Sequence, residues 1–129
     1  MPKAVGAHCG TVCFSATGTA AAVVDQAGSS YVDCITLDEI LQNVNPTVIK
    51  MDIEGAEPEA LEGAKNIIQQ AKPILAISVY HYPDHLWQIP LIINTLFPDY
   101  HYFLRPHNEE GWDLVCYAIP AKRLALANH

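Results

Sequence analysis

Basic residues are scarce: seven lysines and arginines stand against fourteen aspartates and glutamates, a formal charge of −7. Nucleic-acid recognition rests on clustered Lys and Arg, so phosphate backbones are excluded as partners, and an acidic acceptor is disfavoured. Long apolar runs are also lacking. None reaches the roughly 18 residues that a membrane-spanning helix needs, and the N-terminus has neither the basic start nor the apolar core of a secretory signal. The four cysteines, Cys9, Cys13, Cys34 and Cys116, form no C-x-x-C pair, so a disulfide framework is not expected and a reduced, cytoplasmic setting is. His8, Cys9 and Cys13 have a loose metal-ligand spacing, but their alternating context reads as buried or half-buried strand cysteines. A glycine-rich phosphate cradle is missing too. Gly6, Gly10, Gly18 and Gly28 are scattered through extended or turn-like sequence, and no GxGxxG opens a helix after a strand.

What remains is one apolar domain's length of chain. Half of its 129 residues are hydrophobic and only 16% are charged, which fits a sheet covered on both faces. Short extended pieces at Val12 to Ala16, Ala21 to Val24 and Tyr31 to Ile35 make residues 1–35 a small antiparallel β appendage. Thr36-Leu37-Asp38-Glu39 is a capping box opening a helix over 37–43. Val48 to Ile53 and Ile74 to Val79 read as continuous, fully buried parallel strands. Apolar residues at 60, 61, 64, 67, 68 and 71 place one helix over 57–71 between them. Asp84 caps a helix over 85–97, which Pro90 should kink or delay. Tyr100 to Arg105 and Asp113 to Ile119 form an antiparallel hairpin, and residues 121–129 are a tail.

Chemistry concentrates where the strand of Val48 to Ile53 ends in Asp52-Ile53-Glu54-Gly55-Ala56-Glu57. Ligand crevices in open α/β sheets lie beyond the carboxyl ends of the strands. Asp52 and Glu54 are therefore candidate catalytic and cofactor-binding residues, able to orient a hydroxyl or take its proton. His81 leaves the next parallel strand toward the same crevice, with Tyr80 and His85 nearby, and is the best candidate histidine for proton transfer. The three residue types are also compatible with a divalent ion, although no metal is assigned from the sequence. Glu57 is read as serving the helix start through its charge, and Lys50 as pairing with a carboxylate. Most of Tyr80, Tyr82, Trp87, Tyr100, Tyr102, Phe103 and Trp112 are expected in the core or the hairpin, with Trp112 exposed at its tip.

The string KMDIEGAEPEALEGA, preceded by VDCITLDEIL and followed by KPILAISVYH, resembles the second half of the FkbM-type methyltransferases. The resemblance runs from about Phe14 to Pro120, and the opening AVGAHCGTVCF is similar to the family's segment after its third sheet strand. It implies an α/β fold: part of a Rossmann-like methyltransferase sheet, two parallel strands plus the C-terminal hairpin, with residues 36–120 as the C-terminal half of the domain. It further implies S-adenosylmethionine as cofactor, contacted here by Asp52 and Glu54, and O-methylation of a small-molecule hydroxyl on a sugar or secondary metabolite. The family's first strand and glycine turn have no counterpart in this sequence, so the reading is a truncated or split enzyme, inactive alone. The strand at 48–53 would then have an unpaired edge. It should dimerise there, receive the missing N-terminal half, or be covered by the N-terminal appendage. A non-catalytic dimerisation or interaction module is the alternative, and a small metal-dependent hydrolase a third reading.

Overall fold

The computed structural model describes residues 2–15, 23–24 and 30–127. At the N-terminus, β1 (Ala4–Val5), β2 (Gly10–Ser15), β3 (Val23–Val24) and β4 (Ser30–Ile35) form a sheet in the order β1-β4-β2-β3. β2 is antiparallel to β3 and β4, but β1 is parallel to β4, so the appendage is mixed rather than antiparallel. Residues 16, 21 and 22 of the expected strands lie outside the described residues. Cys9 is exposed in the turn before β2, not buried in a strand, while Cys34 is buried in β4.

Helix α1 (Leu37–Ile40) begins as the capping box requires, with the Thr36 hydroxyl accepting the Glu39 amide at 3.1 Å. It ends earlier than expected. The Glu39 carboxylate accepts a hydrogen bond from the Cys9 thiol.

The second sheet holds β5 (Val48–Met51), β6 (Ile74–Ser78), β7 (Tyr100–Pro106) and β8 (Leu114–Pro120) in the order β5-β6-β8-β7. β5 and β6 are parallel, and β8 is antiparallel to both of its neighbours. This is the partial Rossmann-like arrangement of two parallel strands with a hairpin beyond them. β5 lies at the sheet edge, and no described strand of the N-terminal sheet pairs with it.

The crossover is two helices, α2 (Glu57–Glu62) and α3 (Lys65–Ala71), instead of one. Asp38 is the cause. Its amide donates to the Gly63 carbonyl at 2.9 Å, while its carboxylate accepts the amides of Asn66 at 3.1 Å and Ile67 at 2.8 Å. The group that would close Ile67 onto Gly63 in a continuous helix is thus taken at both ends, and such insertion breaks a helix. Gly63 also packs against the Gly6 carbonyl so closely that a Cβ there would collide with it.

Helix α4 (His85–Leu96) starts at the expected residue and runs through Pro90; the proline delays nothing and removes one backbone donor. The chain after β8 is helical, α5 (Ala121–Ala127), and Arg123 Nε donates to the Lys72 carbonyl at 3.2 Å.

Ile49 and Met51 of β5, Leu75 and Ile77 of β6, and Cys116 and Ala118 of β8 meet Leu61 of α2, Ala64 just before α3, Ile67 and Ile68 of α3 and Ile89 and Ile93 of α4 in one core. β5 is buried on that face only, because Val48 and Lys50 on its other face are exposed. β6, flanked on both sides, matches the fully buried expectation better. No helix among the described residues is long and apolar enough to cross a membrane.

Candidate functional site

The parallel register pairs Met51 with Ile77, so the chain segments leaving β5 and β6 emerge side by side. After Met51 the chain turns sharply. Ala56 N donates to Ile53 O at 3.3 Å, and the two central residues, Glu54 (φ 57°) and Gly55 (φ 101°), both have positive φ. Such a turn demands glycine or tolerates strain. Gly55 meets a second demand, since a Cβ there would run into the Tyr82 ring. The turn throws the Asp52 and Glu54 side chains to one place.

His81 fills that place. Its Nε2 lies 3.3 Å from Asp52 Oδ1 and 3.7 Å from Glu54 Oε2, and its Nδ1 lies 2.9 Å from Glu57 Oε1. The imidazole is 7% exposed, whereas the Asp52 and Glu54 side chains are 40% and 38% exposed. Neither ring nitrogen is in hydrogen-bonding geometry with a partner among the described residues. All three sequence candidates therefore converge, and Tyr80 joins them by donating its hydroxyl to Asp52 Oδ1 at 3.2 Å. Loss of solvent, then the negative charges of Asp52 and Asp113, push the Tyr80 phenol up to about 12.

Glu57 is the residue whose role the sequence reading missed. It is wholly buried, its Oε1 accepts the Ile53 amide at 2.9 Å, and its Oε2 is 3.8 Å from His85 Nδ1. Besides its place in the first turn of α2, its carboxylate bonds the acidic turn at Ile53 and lies against both histidines. A signal existed. Counted back from Ala60, Leu61, Ala64 and Ile68, position 57 is in phase with the buried stripe of the helix, and a charge on that stripe needs partners.

Lys50 has no carboxylate within ion-pair distance among the described residues. It lines, with Asp52, Tyr80, Asp113, His107 and Tyr117, a hollow of about 320 Å³ floored by Ala76 and Ser78. His107 has Nε2 2.8 Å from the Tyr117 hydroxyl. Four of the seven aromatics first assigned mainly to core or hairpin packing, Tyr82, Trp87, Phe103 and Trp112, are exposed. Only Trp112 was expected to be. His8, Cys9 and Cys13 do not gather as ligands; among the described residues the one His/Cys/Asp/Glu group with ligand spacing is Asp52, Glu54 and His81.

Parallel strands joined by helices, a hairpin on their far side and a carboxylate-histidine crevice at the strand exits define a Rossmann-like α/β domain of the methyltransferase type. The chain belongs to the FkbM methyltransferase family: the Methyltransferase FkbM domain model matches residues 6–110. It is similar to the crystal structure of Methyltransferase FkbM from Methylobacillus flagellatus KT, with 42% identity and a TM-score of 0.64 over 68% of this chain. The chain spans 23% of that protein's length. No curated protein matches it.

The family implies S-adenosylmethionine-dependent chemistry. The described residues fit only part of that cofactor. Asp52 and Glu54 offer acceptors for hydroxyl or ammonium groups, but no glycine-rich strand-to-helix turn is present among them to receive the rest.

Proposed function

We propose that this chain supplies the acceptor side of an S-adenosylmethionine-dependent O-methyltransferase site, with the remaining cofactor contacts contributed by a segment outside it. The observation that carries the reading is the clamped His81: a buried imidazole held between a buried glutamate and two carboxylates that reach solvent. A hydroxyl of a sugar or secondary metabolite entering at the exits of β5 and β6 meets Asp52 and Glu54 as hydrogen-bond acceptors. Removal of its proton by a positioned base raises its nucleophilicity, and the Asp52–Glu54–His81 cluster is that base. Glu57 fixes the imidazole, which keeps the reacting groups aligned.

Calorimetric titration of the purified chain with S-adenosylhomocysteine, with solution mass measured on the same sample, tests the division of roles. The expected result is no saturable binding by the chain alone, and methyl transfer restored when a family N-terminal half is added. Absence of restored transfer in an otherwise folded mixture counts against the reading. The position of β5 at the edge of its sheet, unpaired on that side among the described residues, favours a second reading, a dimerisation or interaction module. A stable dimer that neither binds the cofactor product nor gains activity would favour it.

A further inference from the structure

The cluster is electrostatically incomplete. Asp52, Glu54 and Glu57 bring three carboxylates around one imidazole, and among the described residues only histidines lie within ion-pair distance of them. Four of the crowded atoms, both His81 ring nitrogens, Glu57 Oε2 and His85 Nδ1, are buried without a hydrogen bond. Buried polar atoms ordinarily find partners.

We infer that Asp52, Glu54 and His81 bind a divalent first-row cation. One donor atom from each lies within 4.8 Å of the others. The two separations from His81 Nε2, 3.3 and 3.7 Å, are close to the roughly 3.0–3.6 Å that metal–ligand bonds of about 2.1–2.2 Å produce between neighbouring donors. The exposed Asp52 and Glu54 carboxylates are free to close the remaining gap.

The surroundings are those of a ligating histidine. Metal-bound imidazoles commonly turn their other nitrogen to a carboxylate, and ligating carboxylates are themselves hydrogen-bonded. His81 Nδ1 lies 2.9 Å from an oxygen of buried Glu57, close to that carboxylate though outside hydrogen-bonding geometry, and Asp52 receives the Tyr80 hydroxyl. Glu57 is thus a positioning residue. Two carboxylates with one imidazole suit manganese, iron or zinc better than a thiolate-seeking ion. Three protein ligands leave coordination positions on the exposed side for water or for an oxygen of the acceptor.

The donor set stands on its own residues, while its role toward an acceptor hydroxyl rests on the methyltransferase reading. With the cation bound, the Nε2 lone pair holds metal, and the acceptor's proton goes to a carboxylate oxygen of the same cluster. One experiment separates these.

Manganous ion is titrated into the purified chain and followed by electron paramagnetic resonance, with nitrogen modulation of the bound signal recorded. One saturable site per chain is expected, showing coupling to an imidazole nitrogen. Affinity should fall about tenfold or more in His81→Gln and Asp52→Asn, and in Glu54→Gln, which alters a solvent-reaching side chain and should leave folding intact. Glu57→Gln should weaken it about 10–100-fold. Glu59→Gln, an exposed acid of α2, should leave it unchanged. Absence of saturable binding up to millimolar manganese overturns the inference, as does binding that lacks nitrogen coupling or responds equally to Glu59→Gln and Glu54→Gln. Methyl transfer restored without any metal binding would overturn the cation and leave His81 as base. Metal binding without restored transfer would do the reverse.

Discussion

The two faces of the β5-β6-β8-β7 sheet are built from the same strands and differ in almost everything else. On one face Leu75, Ile77, Cys116 and Ala118 are sealed under α2, α3 and α4. On the other, the register lines Lys50, Ala76, Tyr117 and Phe103 across the sheet, and Val48, Lys50 and Phe103 remain exposed. The high apolar content suggested cover on both sides. The rows differ in composition as well as in cover: the sealed row is apolar, the outer one carries Lys50, Ser78 and Tyr117, and the helices pack against the first.

The largest effect should separate the faces directly. Leu75→Ala opens a hole beneath the helices and is expected to cost about 2–5 kcal/mol in urea unfolding. Phe103→Ala, on the outer face, should cost less than about 1 kcal/mol. Equal costs would mean that the outer face is covered in solution. Next, Gly63→Ala sets a Cβ against the Gly6 carbonyl where the N-terminal sheet meets α2. Forced repacking of that kind costs about 1–3 kcal/mol, and a wild-type melting temperature would show that the contact is looser than described.

Asp38→Ala removes the bonds to Asn66 and Ile67, and a lost helix cap costs about 0.5–2 kcal/mol. Hydrogen exchange at those two amides should quicken before the rest of α3 responds. Unchanged exchange would remove Asp38 as the cause of the break.

The smallest effect is spectroscopic and again contrasts the faces. Tyr80, beside the outer hollow, should ionise near pH 12, and Tyr100, buried against the core with its hydroxyl on the Pro73 carbonyl, higher still. Both shifts raise the folded value above the ordinary phenol near 10. Their stabilising contribution is therefore complete below about pH 10 and lost as pH rises through the folded values. Asp52→Asn should bring Tyr80 part of the way down and leave Tyr100 alone, as read by phenolate absorbance. A Tyr80 titration unmoved by that change would separate its shift from Asp52.

Much of the body was legible in the sequence because its signals are local. The apolar runs marked β5 and β6, the alternation marked β7 and β8, and Thr36 marked the start of α1. The acidic exit from β5 pointed to Asp52 and Glu54, and the following strand to His81. The errors share one cause. The broken crossover helix depends on Asp38, far back in the chain, reaching into the ladder near Ile67. The passage of α4 through Pro90 and the exposure of Trp87 depend on which helix face found a partner. Glu57 was in phase with the buried stripe, yet only its burial against His81 and His85 shows why a charge sits there.

The sequence by itself determined the types of most elements, the order of the main strands along the chain and the identity of the acids and histidines available for chemistry. Those follow from side-chain period and turn preference, which act over a few residues. Tertiary structure decided that β5 and β6 pair with Met51 opposite Ile77, that helices cover one sheet face while Val48, Lys50 and Phe103 stay exposed on the other, and that three carboxylates meet one imidazole. Such convergence is a property of strand register and helix packing, and neighbours in the chain cannot encode it alone.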